Sequence, residues 1–183
     1  VTWEERDVGD EVTNPDPSFI GGTIRNMFFF RNRFGFLTGD TVVMSKAGSF
    51  FDFFVGSAQV AAADDPIDVS ASSTTPVFLN YVKTVSAGLV LFSDNEQFLL
   101  STDSDVLSPE TAKINTLSGY EADTKIEAVN LGTSLGFISK TPLWSRFFEL
   151  FRISLTDPPD MFNTSVVVPE LIPSTIDNIA GSA

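Results

Sequence analysis

Cysteine and histidine are both absent from the 183 residues. Without cysteine there is no disulfide framework, no thiolate nucleophile and no thiolate zinc site. Without histidine the chain lacks the commonest general base and the commonest metal ligand. Ser-His and Cys-His catalysis within this chain are thereby excluded. Basic residues are also scarce: 11 Lys and Arg stand against 24 Asp and Glu, a net charge of −13. Proteins that read nucleic acid neutralise phosphates with clustered Lys and Arg, so this balance argues against sequence-specific recognition. Long apolar runs are missing too. The longest, such as Met27–Phe30 and Leu89–Phe92, have strand length, well short of the roughly 18–20 residues of a membrane-spanning helix. The N-terminal Val-Thr-Trp-Glu-Glu-Arg carries neither a basic region nor an apolar core, so no signal peptide is visible. It lacks an initiator Met, and the chain reads as a piece of something longer.

What is abundant is phenylalanine, with 18 Phe against two Trp and two Tyr. Phe packs well but offers no polar handle. This suits buried packing or subunit contact better than a sugar-stacking platform.

The periodicity is that of strands: short apolar or alternating runs bounded by Gly, Asp, Asn, Ser and Pro. Three hairpins follow from it. Phe34–Leu37 pairs with Thr41–Ser45, Leu89–Phe92 with Gln97–Ser101, and Leu135–Ser139 with Leu143–Phe151. Ala47-Gly48-Ser49 leads into a further apolar run, Phe50–Val55. Gly35, Gly88 and Gly136 open equivalent strands at intervals near 50 residues. Residues Phe19–Met27 parallel Leu171–Ile179 at about three such intervals. A repeat of this length with several short strands per unit indicates an all-β, propeller-like chain. The expected blades are residues 19–70, 71–120 and 121–170, with 171–183 as the start of a further unit. Three blades cannot close a ring. The alternative is an irregular β-sandwich. Helix is limited to a turn or two after Ser108-Pro109-Glu110-Thr111, which has Ser as cap and Pro at the first position. Loops are expected at Asn14–Pro17, Asp64–Pro66 and Asp157–Asp160.

Candidate chemistry is thin. Gly132-Thr133-Ser134-Leu135-Gly136 fits the nucleophile-elbow pattern, but a strand follows it and no histidine exists to serve it. It reads as a glycine-rich turn. Asp64, Asp65 and Asp68, and separately Asp103 and Asp105, could offer hard oxygens to calcium or a glycosidase carboxylate pair. Solvated turns are the simpler reading. Glu4, Glu5, Asp7, Asp10 and Glu11 read as a solvated face. Arg25, Arg31 and Arg33 flank Phe28–Phe30, and Arg31 and Arg33 are expected on one side of a strand. They could contact phosphate, but ion pairing with the many carboxylates is expected. No lysine follows a glycine, so a Walker A loop is absent. No serine stands three residues before a lysine, so the Ser-x-x-Lys dyad is absent. The sequon Asn163-Thr164-Ser165 reads as chance. No catalytic, metal-binding or cofactor-binding residue is assigned.

The blocks Arg31-Asn32-Arg33-Phe34-Gly35-Phe36-Leu37-Thr38-Gly39, Val42–Gly48 and Phe50–Phe54 resemble the tail tubular protein B, or tail nozzle, family of short-tailed bacteriophages (podoviruses). The resemblance continues through Asp64–Val69, Gly88–Ser93, Gln97–Ser101, Leu107–Pro109 and Val168–Ile172. It implies a non-enzymatic structural virion protein with a propeller-like region, made in the host cytoplasm and carried in the phage tail. It further implies a homohexamer below the adaptor (gatekeeper) ring, tail fibres nearby, and genomic double-stranded DNA leaving through the channel without sequence-specific binding. No membrane-spanning segment and no cofactor are expected. The alternatives are a glycan-binding adhesin propeller, with Trp3, Tyr81, Tyr120 and Trp144 as stacking faces, and a glycoside hydrolase using Asp65 and Asp68.

Overall fold

A computed structural model describes residues 2–151 and 160–181. The regular structure of the described residues is β, in three four-stranded antiparallel sheets, apart from one 3-10 turn at Pro169–Leu171. Sheet 1 holds β1 (Ile24–Phe30), β2 (Arg33–Thr38), β3 (Thr41–Met44) and β4 (Ile67–Ser70). Sheet 2 holds β5 (Tyr81–Val85), β6 (Gly88–Phe92), β7 (Gln97–Thr102) and β8 (Ala112–Ser118). Sheet 3 holds β9 (Val129–Asn130), β10 (Leu135–Lys140), β11 (Ser145–Phe151) and β12 (Asp160–Asn163). In each sheet the strands lie side by side in chain order. Of the turn expected at Asp157–Asp160, residues 157–159 fall outside the described residues, as do residues 182 and 183.

The turns follow from local chemistry. Arg31 and Asn32 link β1 to β2 with φ of 45° and 61°. Gly39-Asp40 links β2 to β3, with Gly39 at φ 55°. Two-residue loops with positive φ match the twist of the strands they join.

The three sheets pack face to face in sequence, a propeller-like arrangement without a closed ring. Leu37, Met44 and Ile67 of sheet 1 meet Leu89, Leu91 and Leu100 of sheet 2 in one core. Val90, Phe92 and Leu99, on the opposite face of sheet 2, meet Leu135, Phe137 and Leu150 of sheet 3 in a second. Sheet 2 is therefore apolar on both faces, which is why β6 and β7 read as continuous buried runs. Each such fully buried Leu or Phe side chain contributes roughly 1.5–3 kcal/mol. Tyr81 is buried in the second core, stacks on Phe92 at 4.6 Å and accepts the Ala128 N–H at 3.2 Å. Burial pushes its phenol well above the ordinary range.

The glycines of the sequence repeat occupy one structural position. Gly35, Gly88 and Gly136 all lie in the second strand of their sheets. Phe28 lies over Gly35 from the neighbouring strand, and Phe147 lies over Gly136; a side chain at either glycine would collide with the ring.

One local expectation is corrected, and one is met at its lower bound. Phe50–Val55 is not a strand. Its rings turn onto the outer face of sheet 1, where Phe53 is buried with Phe36 and Val43. Its backbone bonds are scattered instead: Phe51 O accepts Glu4 N at 3.1 Å, Asp52 O accepts Lys46 N at 2.8 Å, and at Val55 an amide side chain serves both groups, with Asn14 Nδ2 donating to Val55 O and Val55 N donating to Asn14 Oδ1, both at 3.3 Å. The turn or two expected after Ser108 is one turn, in which Thr111 N bonds Ser108 O at 3.1 Å and Ala112 N also bonds Ser108 O at 2.9 Å. Ala112 begins β8. Ala112 and Ile114 then pack on the first core at alternate positions, so tertiary burial overrides the helix-start signal beyond that turn.

Candidate functional site

The acidic loop residues part company. Asp64 forms an ion pair with Lys46 at 3.7 Å. Asp65 is only 1% exposed; its Oδ1 accepts Gly56 N at 3.2 Å and its Oδ2 accepts Ala62 N at 2.7 Å. Asp68 accepts the backbone N–H and the hydroxyl of Ser18, each at 2.9 Å. One carboxylate fixes a loop, one pairs at the surface, and one ties the N-terminal segment to β4. Asp103 pairs with Lys113, and the Asp105 carbonyl accepts from Arg31 at 3.4 Å. Among the described residues no group of three or more Asp or Glu is placed to hold a metal ion. Asp65→Ala is expected to cost about 2 kcal/mol in urea unfolding, because two part-buried amides lose a charged acceptor.

The arginines correct the strand reading. Arg31 sits in the β1–β2 turn, and only Arg33 lies in β2. Arg31 lies over the Phe30 ring at 5.6 Å, and Arg25 lies over Phe78 at 5.3 Å and donates to Asn80 Oδ1 at 3.0 Å. Arg33 is 2% exposed, and its hydrogen bonds run to main-chain carbonyls rather than to carboxylates. Its Nη1 donates to Ser45 O at 2.9 Å, Asp64 O at 3.2 Å and Asp65 O at 2.6 Å. Its Nη2 donates to Ala63 O at 2.9 Å and to Leu107 O at 3.2 Å. Leu107 belongs to the β7–β8 connection, so this one side chain ties sheet 1 to sheet 2. Burial pulls the guanidinium pKa down, and the nearby Asp64 and Asp65 charges oppose that shift. Sequence reasoning missed this role, since an arginine beside a turn carries no mark of burial.

The elbow-like Gly132–Gly136 is a turn entering β10, with Gly132 at φ 88°. Ser134 is buried and donates to Glu149 Oε1 at 2.5 Å, so its hydroxyl is held by a carboxylate across the sheet. Glu4, Glu5, Asp7, Asp10 and Glu11 are exposed. The Asp10 carboxyl is held below its usual range by the backbone N–H and hydroxyl of Thr13 and by the N–H of Val12.

The four amphipathic aromatics are dispersed. Tyr81 is buried, Tyr120 lies against Phe148 at 4.9 Å, and Trp144 sits at the tip between β10 and β11. Trp3 lies on the outer face of sheet 1 with Phe19, Phe36, Phe51 and Phe53. Trp3, Phe19, Phe51 and Phe53, with Pro17 and Ile20, border an open apolar cavity of about 300 Å³. This aromatic face was also missed; its members are spread over Trp3, Phe19, Phe36 and Phe51–Phe53, and only the fold gathers them.

These side chains tie backbone, bridge sheets and pack faces. They define an all-β protein whose sheets are joined through packed faces, and among the described residues no helix is long and apolar enough to cross a membrane. The chain belongs to the bacteriophage nozzle protein family, whose pattern matches residues 1–183. By that membership it is a structural tail protein of a phage virion. It is 31% identical over 185 residues to the tail tubular protein gp12 of Escherichia phage T7. That alignment covers 100% of this chain and 23% of the relative, so the chain spans about a quarter of the relative's length.

Proposed function

We propose that this chain forms part of the wall of the tail nozzle, assembles as a homohexamer beneath the adaptor ring with tail fibres nearby, and lets genomic double-stranded DNA pass without binding its sequence. The observation that carries this reading is the nozzle-family match across residues 1–183. Charge supports it physically. A ring of six would carry six times the chain's −13, and carboxylates facing a lumen repel phosphate within a screening length of about 8–10 Å. The role asks for no reaction: Asp10, Asp65, Asp68 and Ser134 are spent on caps and ties, and Asp64 and Asp103 on two surface pairs.

Cryo-electron microscopy of purified phage tails tests the proposal. The expected result is six copies of the three-sheet array around the distal channel. Density for the chain elsewhere in the particle, or another copy number, overturns it.

A further inference from the structure

β1 is the edge strand of sheet 1, and among the described residues its ladder is with β2 alone. Which of its main-chain groups face outward follows from the next pair in the sheet. Phe34 O accepts Ser45 N at 2.8 Å, and Phe34 N donates to Ser45 Oγ at 3.0 Å, so both main-chain groups of Phe34 point to the β3 side. Phe29, opposite Phe34, therefore sits in a non-hydrogen-bonded pair, and its own N–H and C=O point away from β2. Met27, opposite Phe36, repeats that orientation two residues earlier. The side chains of the same two residues stand in water: Phe29 is 66% exposed and Met27 64%.

The first strands of the other sheets are better closed. β5 begins with the buried Tyr81, and β9 is two residues long, with Gly181 beside it. β1 runs for seven residues without proline or lysine, and its one bulge, between Ile24 and Asn26, lies before the open centre. A long apolar edge that lacks such blunting devices is a template for a further strand. Met27 and Phe29 also extend the aromatic face of sheet 1: the Phe29 ring stacks on Phe34 at 4.8 Å and meets Phe50 edge-on at 5.5 Å. Charge marks the two ends. Arg25 and Arg31 flank the open centre, and both are exposed. In a chain with more than twice as many acids as bases, neither is in an ion pair among the described residues.

We infer that the outer edge of β1 receives an extended segment of a different polypeptide, which bonds to the main chain of Met27 and Phe29, lays apolar side chains beside theirs, and carries an Asp or Glu at each end toward Arg25 and Arg31. In strand addition the main-chain bonds supply affinity, and the alternate side chains supply selectivity. The two arginines are about 20 Å apart along the strand, so the partner's carboxylates stand about six residues from one another. A second copy's β1 is the poorer occupant. Antiparallel pairing that uses Met27 and Phe29 of both copies sets Arg25 of one against Arg31 of the other, and like charges placed opposite each other destabilise a strand pair.

The inference rests on the tail reading, because the partner is sought in the phage particle. The test places the photo-crosslinker p-benzoylphenylalanine at position 29 of the full-length polypeptide, irradiates assembled particles, and maps the cross-linked peptides by mass spectrometry. The expected result is a cross-link to a different polypeptide, in a segment with apolar residues at alternate positions and an Asp or Glu on either side. Arg25→Glu with Arg31→Glu should lower the yield by roughly threefold or more, and Arg25→Lys with Arg31→Lys should keep it. If the charge-reversed polypeptide does not enter particles, neutralising the mapped carboxylates reads the same contact from the other side, with the same fall expected. A yield no higher than that of the same probe at Val12, which is 87% exposed, overturns the inference. So does a cross-link to another copy of this polypeptide or within it, a segment without the acidic flanks, or a yield indifferent to these charges. Imaging that still places the chain in the tail would leave the tail reading intact in each of these cases.

Discussion

Arg33→Met is expected to lower the unfolding free energy by about 3–5 kcal/mol, the largest loss for any single side chain in sheet 1. The thioether fills much of the same volume, so the cost is electrical rather than steric. Five carbonyls lose a charged donor: those of Ser45, Asp65 and Leu107 in buried bonds, and those of Ala63 and Asp64 in part-buried ones. Replacing a buried charge by an apolar group is neutral only when its partners change with it, and main-chain carbonyls cannot. Arg33→Lys separates charge from geometry. It keeps the charge but presents three donors from one point, where the guanidinium spreads them over a planar fork. It should recover only part of the loss. Urea unfolding reads both variants through the midpoint at constant slope. A loss below about 1 kcal/mol for Arg33→Met would show that the tie between the sheets is redundant.

Gly88→Ala should cost about 3 kcal/mol or more. Gly88 holds φ at 151°, and a methyl group there would overlap the main-chain carbonyl oxygen of Leu100 on the paired strand. A backbone atom inside a buried sheet cannot swing aside as a side chain would. The comparison is Gly39→Ala, where φ is 55° but no atom lies within 4 Å of the added carbon. That variant carries only the conformational penalty, about 1 kcal/mol. Thermal unfolding of the two variants side by side checks the difference. Equal losses would mean that strain in φ, rather than contact with β7, sets the cost at Gly88.

The same glycine shows where sequence reading succeeds. A residue recurring near every 50 positions, each time just before an apolar run, marks the second strand of each sheet, because that period is geometric and survives changes in neighbours. The hairpins around Gly39-Asp40 and Ser93–Glu96 were readable because turn chemistry is local. What was not readable depends on partners far along the chain. Ser108-Pro109-Glu110 carries a sound helix-start signal, but Ala112 and Ile114 gain more by alternating into a core shared with sheet 1. Phe50–Val55 has strand composition, but its bonds go to separate places: Phe51 O to Glu4 N, Asp52 O to Lys46 N, and both backbone groups of Val55 to Asn14, 41 residues before it. Asp65 looked like a possible ligand in a solvated loop; it is buried and spent on two backbone amides.

The chain leaves sheets 1 and 2 across hairpin tips, where Ala71 N bonds Asp40 O at 2.8 Å and Ala122 N bonds Asp94 O at 2.9 Å, and this order has a bearing on synthesis. Every sheet is completed from residues that lie close together in sequence, and the segment leaving it closes over a tip already formed. A nascent chain can therefore fold vectorially: each completed sheet offers a finished apolar template to the next as it leaves the ribosome. No early strand waits for a distant partner, which shortens the time that phenylalanine-rich edges stand open to neighbouring chains in a crowded host cell.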